Sequence, residues 1–558
     1  DKYTRQTYDK VAPCIHTRND QLASQNTIHP IDNRVFSIRE LMNMMTIPSS
    51  FRWLDFSLKY LNSLPLDEKK IISKKEEVNI RQSIGEAVPT EIFRQIAHKI
   101  KTQLQLISLN DREIRDLICE FNLDEHDKLH AYIIDNKDRY SLSTCSKIIE
   151  LANCKREKHS AYFTDKSTLQ KIFENLPDFD QEEINVVEPS VGAGNYLPFI
   201  FKKYEQKKHV NLKVIDIDSN IVDLLKILFD KDRIPKNFSV EFICDDFMNY
   251  NFDNVDLIIG NPPFSKLSGK YRDGLRSKNF NKESTNLAEF ILEKAIEKSR
   301  FISLIMPKTI LNTPEFFDTR VLMKKNGVDS IIDFGENGFK GVLVETVNIM
   351  INRNRNSSNT KVVSTTLNIE LNQKCNYIFD DKLPYWIIYR NSFFDKILKK
   401  MEFGVFDVFR DRQVTNSNTS FKKSEKYCIR VLKSRNILDS GKIIEIEGYD
   451  SYIDKDSLSK LAVSKYINDT DVYLTPNMTY KPRLIKKEKG YIVNGSIAIL
   501  IPKNNQINFN IEQIRYISSD EFRLFYRIAR NYQTRSLNVD KISCYWFGIN
   551  KLLSINNK

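Results

Sequence analysis

The sequence predicts an α/β fold for its central part, because short apolar strands alternate there with helical stretches and run into turns of glycine, acidic residues or proline. The first strand contains Val186 and Val187, and a helical stretch from Tyr196 to Tyr204 follows its turn. The turn reads Glu188-Pro189-Ser190-Val191-Gly192-Ala193-Gly194-Asn195. A strand, a glycine turn and a helix in this order bring the backbone close to a nucleotide-like ligand. A glycine turn alone is weak evidence, because most tight turns are only turns.

The next strands end in acidic residues. The strand 212–218 ends at Asp216 and Asp218, and the strand 240–247 ends at Asp246 and Phe247. A carboxylate at the end of the second strand can accept hydrogen bonds from the ribose hydroxyls of a nucleoside. Asp246 can accept from an adenine amine while Phe247 packs on the ring. Each acid alone is better explained as a solvated loop residue, but their order along the chain favours a nucleoside site.

The fourth strand carries the most specific signal. Residues 255–260 form an apolar strand that runs into Asn261-Pro262-Pro263-Phe264. Consecutive prolines fix φ and stiffen the loop, so the Asn261 side-chain oxygen and the Pro262 carbonyl can accept from one amino group. Two such acceptors draw a planar aromatic amine toward tetrahedral geometry and free its lone pair for attack. Phe264 offers a face on which a base taken out of a duplex can stack.

Residues 156–350 resemble the gamma class of amino-methylating DNA methyltransferases, in which the cofactor motif precedes the Asn-Pro-Pro-aromatic motif and the recognition domain comes last. The resemblance implies a Rossmann-like, mostly parallel sheet of about seven strands with helices on both faces. It implies S-adenosyl-L-methionine as cofactor, no metal, and methyl transfer to adenine N6 in double-stranded DNA. The catalytic residues that it implies are Asn261, Pro262, Pro263 and Phe264, with Phe264 and Phe339 stacking on the base. The cofactor-binding residues that it implies are Tyr162, Phe163, Thr164, Glu188, Pro189, Gly192, Gly194, Asn195, Asp216, Asp246 and Phe247. The family's proline after Thr164 is replaced by Asp165, so this first motif matches more loosely.

The rest of the 558-residue chain divides by texture into further segments. We expect the catalytic domain to span 156–395, a helical linker to span 106–155, and a mixed α+β target-recognition domain to span 396–558. The net charge of +12 suits a polyanionic partner. Basic residues interleaved with apolar ones in the last segment suit phosphate and base contacts. The residues expected to bind DNA are Arg430, Lys433, Arg435, Lys481, Arg483 and Arg535.

Residues 1–105 resemble the late motifs of cytosine-C5 DNA methyltransferases. The segments that carry this resemblance are 8–18, His29-Pro30, 34–40 and 81–89. That chemistry needs a cysteine nucleophile in a Pro-Cys-Gln loop, whereas Pro13-Cys14 is followed by Ile15, and the family's own glycine motif is absent. We hypothesise that the chain is the C-terminal part of a bifunctional m5C/m6A enzyme, or that a separate subunit supplies the front half. An upstream gene sequence without a cysteine-loop core would contradict the first hypothesis.

Several alternatives remain open at this stage. Cytosine-N4 methyltransferases use similar chemistry but more often carry Ser before the prolines, so Asn261 favours adenine. Protein-glutamine methyltransferases share the loop, but they resemble single small domains. A non-catalytic DNA specificity subunit is a further alternative, against which the intact motifs argue.

The composition also predicts a compartment and partners. The eight cysteines form no Cys-x-x-Cys pair, and no apolar run approaches the ~18 residues of a membrane span. We therefore expect a soluble protein of the prokaryotic cytoplasm with no membrane contact. No Pro-Asp…Asp/Glu-x-Lys cluster is present, so we expect a cognate restriction endonuclease to be a separate protein.

Overall fold

The computed structural model divides the chain into two compact units. One comprises Asp1–Ser108 with Asp138–Ser141, and the other comprises Leu109–Lys137 with Leu142–Lys558. The predicted division into four segments stays a prediction. The residues that the structure describes are 3–9, 14–23, 28–55, 58–104, 106–153, 164–339, 343–354, 358–478, 481–504, 507, 509–534 and 538–553.

The first unit is built on helices. Ser37 begins the first helix with a capping box, in which its hydroxyl accepts from the backbone of Glu40 and the Glu40 carboxylate accepts from the backbone of Ser37. A small apolar core holds this helix against the long third helix through Leu41 and Ile84. The helices are α1 (Ile38–Met44), α2 (Leu58–Ser63), α3 (Leu66–Glu86) and α4 (Thr90–Leu104).

Segments that carry the cytosine-C5 resemblance meet in this unit. The buried Arg81 donates from Nη1 to the Phe36 carbonyl at 2.9 Å, and Asn19 Nδ2 donates to the Arg81 carbonyl at 2.8 Å. Arg81 also pairs with Glu77 one turn earlier in α3. The polar contacts therefore fasten the end of α3 to the segment 34–40 and to Asn19, which directly follows the segment 8–18. The resemblance itself stays a prediction.

Within the described residues, the second unit contains a sheet of nine strands in the order β3-β2-β1-β4-β5-β7-β6-β8-β9. The expected number of seven strands was wrong, because β8 and β9 extend the sheet beyond β6. The edge strand β9 is polar and mostly exposed, so its sequence carries little strand signal. The strands are β1 (Glu183–Glu188), β2 (His209–Asp216), β3 (Phe238–Cys244), β4 (Val255–Gly260), β5 (Ser299–Pro307), β6 (Val328–Gly335), β7 (Thr346–Asn352), β8 (Asn359–Ser364) and β9 (Ile369–Lys374).

The first five strands are parallel and define the site-bearing edge. β4 is buried along its whole length between β1 and β5, as is typical of a central strand in a parallel sheet, and its one acid, Asp256, accepts from the Asn185 backbone at 2.9 Å. The chain steps outward from β1 to β2 and β3 and then returns to β4 on the other side of β1. The carboxyl ends of β1 and β4 therefore form a topological switch point, where open α/β sheets bind ligands.

Helices connect and cover the strands of this sheet. By the general rule of right-handed crossovers, the helices that follow β1 and β2 lie on one face of the sheet, and the helix Leu287–Lys298 that precedes β5 lies on the other. The predicted α/β fold is confirmed. The helices of the second unit are α5 (Asp111–Phe121), α6 (His126–Asn136), α7 (Leu142–Ala152), α8 (Lys166–Glu174), α9 (Leu197–Lys203), α10 (Ser219–Leu228), α11 (Gly269–Lys278), α12 (Leu287–Lys298), α13 (Phe317–Lys325), α14 (Cys375–Ile378), α15 (Ser392–Lys400), α16 (Lys455–Ser459), α17 (Ile511–Ile517) and α18 (Asp520–Ala529). None of the described helices is long and apolar enough to span a bilayer.

The C-terminal part combines small sheets with short helices, as the predicted α+β character requires. One sheet has the strand order β11-β17-β14-β15, a second has the order β13-β12-β16, and β10 pairs with β18. These strands are β10 (Met401–Glu402), β11 (Phe406–Arg410), β12 (Tyr427–Leu432), β13 (Ser451–Asp454), β14 (Tyr473–Pro476), β15 (Ile485–Lys486), β16 (Tyr491–Val493), β17 (Ile497–Pro502) and β18 (Ile549–Asn550).

An aromatic cluster joins the C-terminal helices to the core of the large sheet. Phe394 of α15 stacks on Phe525 of α18 with ring centroids 4.8 Å apart, and Trp546 packs edge-on to both. The Trp546 indole donates to the Tyr385 hydroxyl at 2.6 Å. Because these rings belong to the same buried cluster as β5 and β7, the C-terminal helices and the nine-stranded sheet share one core.

We predict that Phe394→Ala destabilises the second unit by about 3–5 kcal/mol, because it removes the ring at the centre of this cluster. Urea unfolding followed by tryptophan fluorescence reports this loss, since Trp386 and Trp546 lie in the same core. Phe317→Ala is the control, because the Phe317 side chain is 59% exposed. Equal midpoints for the two variants would contradict the prediction.

Candidate active site

A cavity of about 490 Å³ lies at the carboxyl ends of β1 to β4, within the second unit. Most of the residues predicted to bind the cofactor line it, and so do two residues of the proline loop. The predicted residues in its wall are Thr164, Glu188, Pro189, Gly192, Asn195, Asp216, Asp246, Phe247, Asn261 and Pro263. Gly194, Pro262, Phe264 and Phe339 lie outside this wall. Tyr162, Phe163 and Arg535 lie outside the described residues.

The glycine turn is held by the acid at the end of β2. The Asp216 carboxylate accepts from the Gly192 backbone at 2.9 Å with one oxygen and from the Asp218 backbone at 3.0 Å with the other. Gly192 has φ +51°, and a Cβ there would meet no atom within 4 Å. The turn therefore presents bare backbone to the open cavity.

Gly194 does not line the cavity but allows close packing of the turn against a helix. It also has a positive φ of +77°, but a Cβ there would lie 2.7 Å from Phe229 and 2.9 Å from Leu225. Those side chains belong to α10 and its C-cap. The second glycine of the motif therefore lets the turn approach that helix closely.

Glu188 is a buried acid at the end of β1. Only 1% of its surface is exposed, and its Oε2 has no hydrogen-bond partner among the described residues. Burial raises the pKa of Glu188 well above its ordinary value, and the nearby charge of Asp216 raises it further. A cationic group in the cavity would satisfy this carboxylate.

Asp246 closes the other end of the cavity. Its Oδ1 accepts from the Met248 backbone at 2.9 Å, and its Oδ2 accepts from the Tyr271 hydroxyl at 2.6 Å. Lys294 of α12 donates to the backbone carbonyls of Phe247, Met248 and Tyr250 at 2.6–2.9 Å. The loop after β3 is thus fixed from behind, while its acid and its phenylalanine face the cavity.

The proline loop lies directly beside the glycine turn. A Cβ on Gly260 would lie 3.1 Å from Pro189 Cδ, a tight contact, so glycine lets β4 end close to the motif of β1 without displacing the proline ring. Ser190 Oγ donates to the Asn261 carbonyl at 3.2 Å. Asn261 Nδ2 donates to Thr164 Oγ1 at 3.2 Å, which fixes the plane of the amide and turns its Oδ1 edge away from Thr164.

The two phenylalanines assigned to base stacking are neighbours. The rings of Phe264 and Phe339 have centroids 6.0 Å apart and are tilted by 52°. Phe264 is half-buried, whereas Phe339 is only 2% exposed. Their stacking role stays a prediction, and in this structure Phe339 contributes to the packing behind Phe264.

The basic residues predicted to bind DNA differ in their surroundings. Arg430 donates to Asp450 at 2.7 Å, and Arg483 donates to Asp439 at 2.9 Å, so both guanidinium groups are held by acids of the same chain. Lys433 donates to the Tyr449 carbonyl at 2.6 Å, and burial lowers its pKa. The remaining described pair, Arg435 and Lys481, is exposed. DNA binding by all of these residues stays a prediction.

Other residues of the cavity wall were not predicted. Tyr271 comes from an exposed helix that carries no motif, and its contact with Asp246 depends on the tertiary fold. Asp218 caps α10 by accepting from the Asn220 backbone at 3.1 Å. The position of Asp218 after the strand was visible in the sequence. An acid at the start of a helical stretch is typical of a helix cap, and this signal could have separated the role of Asp218 from that of Asp216. Among the described residues, no group of three or more His, Cys, Asp and Glu side chains is placed to hold a metal ion.

Comparison with known proteins points to one class of enzyme. Residues 130–339 match the family model of the Eco57I restriction-modification methylase. The chain is 28% identical over 210 residues to the type II methyltransferase M.CvrRI of Paramecium bursaria Chlorella virus XZ-6E, a match that covers 36% of this chain and 51% of that protein. It is 31% identical over 107 residues to the type II methyltransferase M1.HgaI of Avibacterium volantium, which covers 18% of this chain and 25% of that protein.

A solved structure with a similar fold is that of the type IIG restriction endonuclease BpuSI, with a TM-score of 0.41 and 13% identity, covering 76% of this chain and 63% of that one. The chain spans about half the length of M.CvrRI, the first of these relatives. The family model and the type II relatives confirm similarity to restriction-modification methyltransferases for the central part of the chain. The gamma-class and cytosine-C5 assignments stay predictions.

We predict that Gly194→Ala destabilises the protein more than Gly192→Ala does. Both substitutions force a side chain into positive φ, at a cost of about 1–2 kcal/mol. Only the Gly194 variant also drives a methyl group into Phe229 and Leu225, which adds about 1–3 kcal/mol. Thermal unfolding of the two variants measures the difference, and equal melting temperatures would contradict it.

We predict that Glu188→Gln gains stability over the wild type as pH rises. In the unfolded chain Glu188 ionises at its ordinary pKa, whereas burial raises its pKa in the ligand-free fold, so that it keeps its proton to higher pH. The wild type therefore loses stability as pH rises above the unfolded pKa, and the glutamine variant does not lose this contribution. Melting temperatures of the ligand-free proteins from about pH 5 to about pH 8 measure the effect. A difference that stays constant with pH would argue against it.

Proposed function

We propose that the protein is a site-specific DNA adenine-N6 methyltransferase that uses S-adenosyl-L-methionine and acts as the modification component of a restriction-modification system. The observation that carries this proposal is the close contact of the Asn261-Pro262-Pro263-Phe264 loop with the glycine turn, through Gly260 and Pro189. This contact brings a loop suited to gripping an amino group to the wall of a cavity suited to a nucleoside.

The residues of the cavity fit this cofactor. Gly192 leaves open space where any other residue would place a Cβ, and Glu188 offers a buried carboxylate without a partner among the described residues for a cationic ammonium group. Asp216 would accept from the ribose hydroxyls, and Asp246 from the adenine amino group. When bound, the cofactor supplies an electrophilic methyl group on a sulfonium.

The proline loop would prepare the target amine. Asn261 Oδ1 and the Pro262 carbonyl accept the hydrogens of N6, which localises the nitrogen lone pair and makes the amine a better nucleophile. Thr164 holds the Asn261 amide in its plane through the hydrogen bond to Nδ2. Phe264 stacks on the flipped base and keeps the ring in register with these acceptors. The methylated nitrogen would carry one surplus proton, which it would release to solvent.

We propose adenine as the target base because of the motif, and duplex DNA as the substrate because of the charge of the chain. Asparagine before the prolines favours adenine over cytosine N4, and the net charge of +12 suits duplex DNA. The comparisons support a restriction-modification methyltransferase. A cognate endonuclease and a cytosine-C5 front half are the further partners that we propose.

We predict that tritium from methyl-labelled S-adenosyl-L-methionine enters N6-methyladenine when the protein acts on unmethylated duplex DNA of mixed sequence. Asn261→Ala should lower this transfer by at least about 100-fold, because it removes an acceptor that strengthens in the transition state. Nucleoside analysis of the product identifies the base.

Asn326→Ala is the matched control, because the Asn326 amide bonds to a carbonyl of its own helix end. If the label appears in N4-methylcytosine instead, the proposed amine chemistry stands but the proposed target base is wrong. Cofactor binding without label in any DNA would overturn the proposed activity and favour a specificity subunit.

A further inference from the structure

Helix α11 is an exposed helix at the mouth of the cavity. It lies in the segment that connects Phe264 to α12, and none of its residues is buried. A helix without a buried face gains little stability from packing, so its position depends on the few contacts that it makes. α11 is therefore suited to move.

One of these contacts reaches the cofactor cavity. The Tyr271 hydroxyl donates to Asp246 Oδ2 at 2.6 Å, and Tyr271 itself lines the cavity. The Asp246 carboxylate is the acceptor that the proposed function assigns to the cofactor's adenine amino group. The Tyr271 hydroxyl already lies at Oδ2, where it would crowd an adenine amino group that approaches the same oxygen, while Oδ1 accepts from the Met248 backbone.

The base of the segment is anchored independently of this contact. Lys266 and Asn286 form a β-bridge, and the Leu267 backbone donates to the Thr285 carbonyl at 2.7 Å. Within α11 itself, Arg276 of the last turn donates to the Ser284 carbonyl at 2.7 Å, which tethers this end of the helix to the base. The ends of the segment therefore stay in place when Tyr271 leaves Asp246, and α11 acts as a hinged cover.

The outer surface of the same segment is basic. Its single acid between 266 and 282 is Asp273, which pairs with the neighbouring Arg272. Lys270 and Lys278 are exposed, and no described residue forms an ion pair or side-chain hydrogen bond with either. The basic residues of the segment are Lys266, Lys270, Arg272, Arg276, Lys278 and Lys282. Such a surface next to the proline loop suits the phosphates of a duplex whose base enters the site.

We propose that α11 is a lid that Tyr271 latches to Asp246 in the absence of ligands, and that duplex DNA, bound through Lys270 and Lys278, draws the lid off Asp246 and favours cofactor binding. This inference rests on the proposed function. It makes Tyr271 a positioning residue that acts through Asp246, and it makes the lid the link between DNA and cofactor.

The latch is tested by the affinity for S-adenosylhomocysteine, measured by titration calorimetry without DNA. Tyr271→Phe removes the competing hydroxyl, so the variant should bind up to about tenfold more tightly than the wild type. Tyr271→Leu, which also removes the ring, should bind more tightly as well. Equal or weaker binding by both variants would overturn the latch.

A remote tyrosine gives a matched control. Tyr377 donates to Asp395 at 2.8 Å in the same kind of phenol–carboxylate bond, away from the cavity wall. Tyr377→Phe should leave the affinity for S-adenosylhomocysteine unchanged. A wild type that binds no S-adenosylhomocysteine would overturn the proposed function together with the lid, whereas the variants of Tyr271 decide the lid alone.

The link to DNA is tested by repeating the titration with mixed-sequence duplex DNA. Because coupling between two ligands is reciprocal, DNA should tighten cofactor binding in the wild type and should do so less in Tyr271→Phe, in which the latch is already absent. An equal effect of DNA on both proteins would overturn the link.

The lysines are tested through the salt dependence of DNA binding. In the double variant Lys270→Gln/Lys278→Gln the slope of log affinity against log salt should fall by about 0.9 for each phosphate that the protein no longer neutralises. Lys231→Gln/Lys236→Gln is the charge-matched control, since these exposed lysines precede the amino end of β3, opposite the cavity edge. Equal slopes for the two double variants would overturn the assignment of DNA to this surface.

Discussion

The close approach of β4 to the turn after β1 is the constraint on which the site depends. Gly260 ends a fully buried strand, and the missing side chain lets it lie against Pro189. Asp216 completes the arrangement by holding the Gly192 backbone from the end of β2. The strand order places these ends side by side, and the contact then fixes the distance between the nucleoside half and the amine half of the cavity.

A buried polar network connects this sheet to the C-terminal part. Lys308 lies 2.8 Å from Asp333 and 3.8 Å from Glu345, all three side chains being fully buried. Tyr389 donates to Asp333 at 2.5 Å, and burial raises the pKa of this tyrosine. The Thr534 backbone donates to Glu345 at 2.9 Å. A buried charge costs several kcal/mol unless it is fully paired, so these partners fix the C-terminal segment to the sheet edge that bears Phe339.

The sequence predicted those parts of the site that depend on local order along the chain. The glycine turn, Asp216 and Asn261 follow successive strands, and parallel strands bring their ends to one edge. The position of Tyr271 could not be predicted, because a contact between an exposed helix and a distant loop leaves no periodic pattern. The ion pair of Arg430 likewise depends on Asp450, a residue 20 positions away that only the tertiary fold brings close. The edge strand β9 was not predicted, because its polar sequence shows no alternation of apolar and polar residues.

The central claim is that one cavity at the switch point holds the cofactor and presents its methyl group to Asn261. A crystal structure of the protein with S-adenosylhomocysteine tests this most directly. The account predicts the ribose beside Asp216, the adenine beside Asp246 in place of the Tyr271 hydroxyl, and the sulfur facing the Asn261 amide. A ligand bound elsewhere, or one whose sulfur points away from the proline loop, would contradict the account.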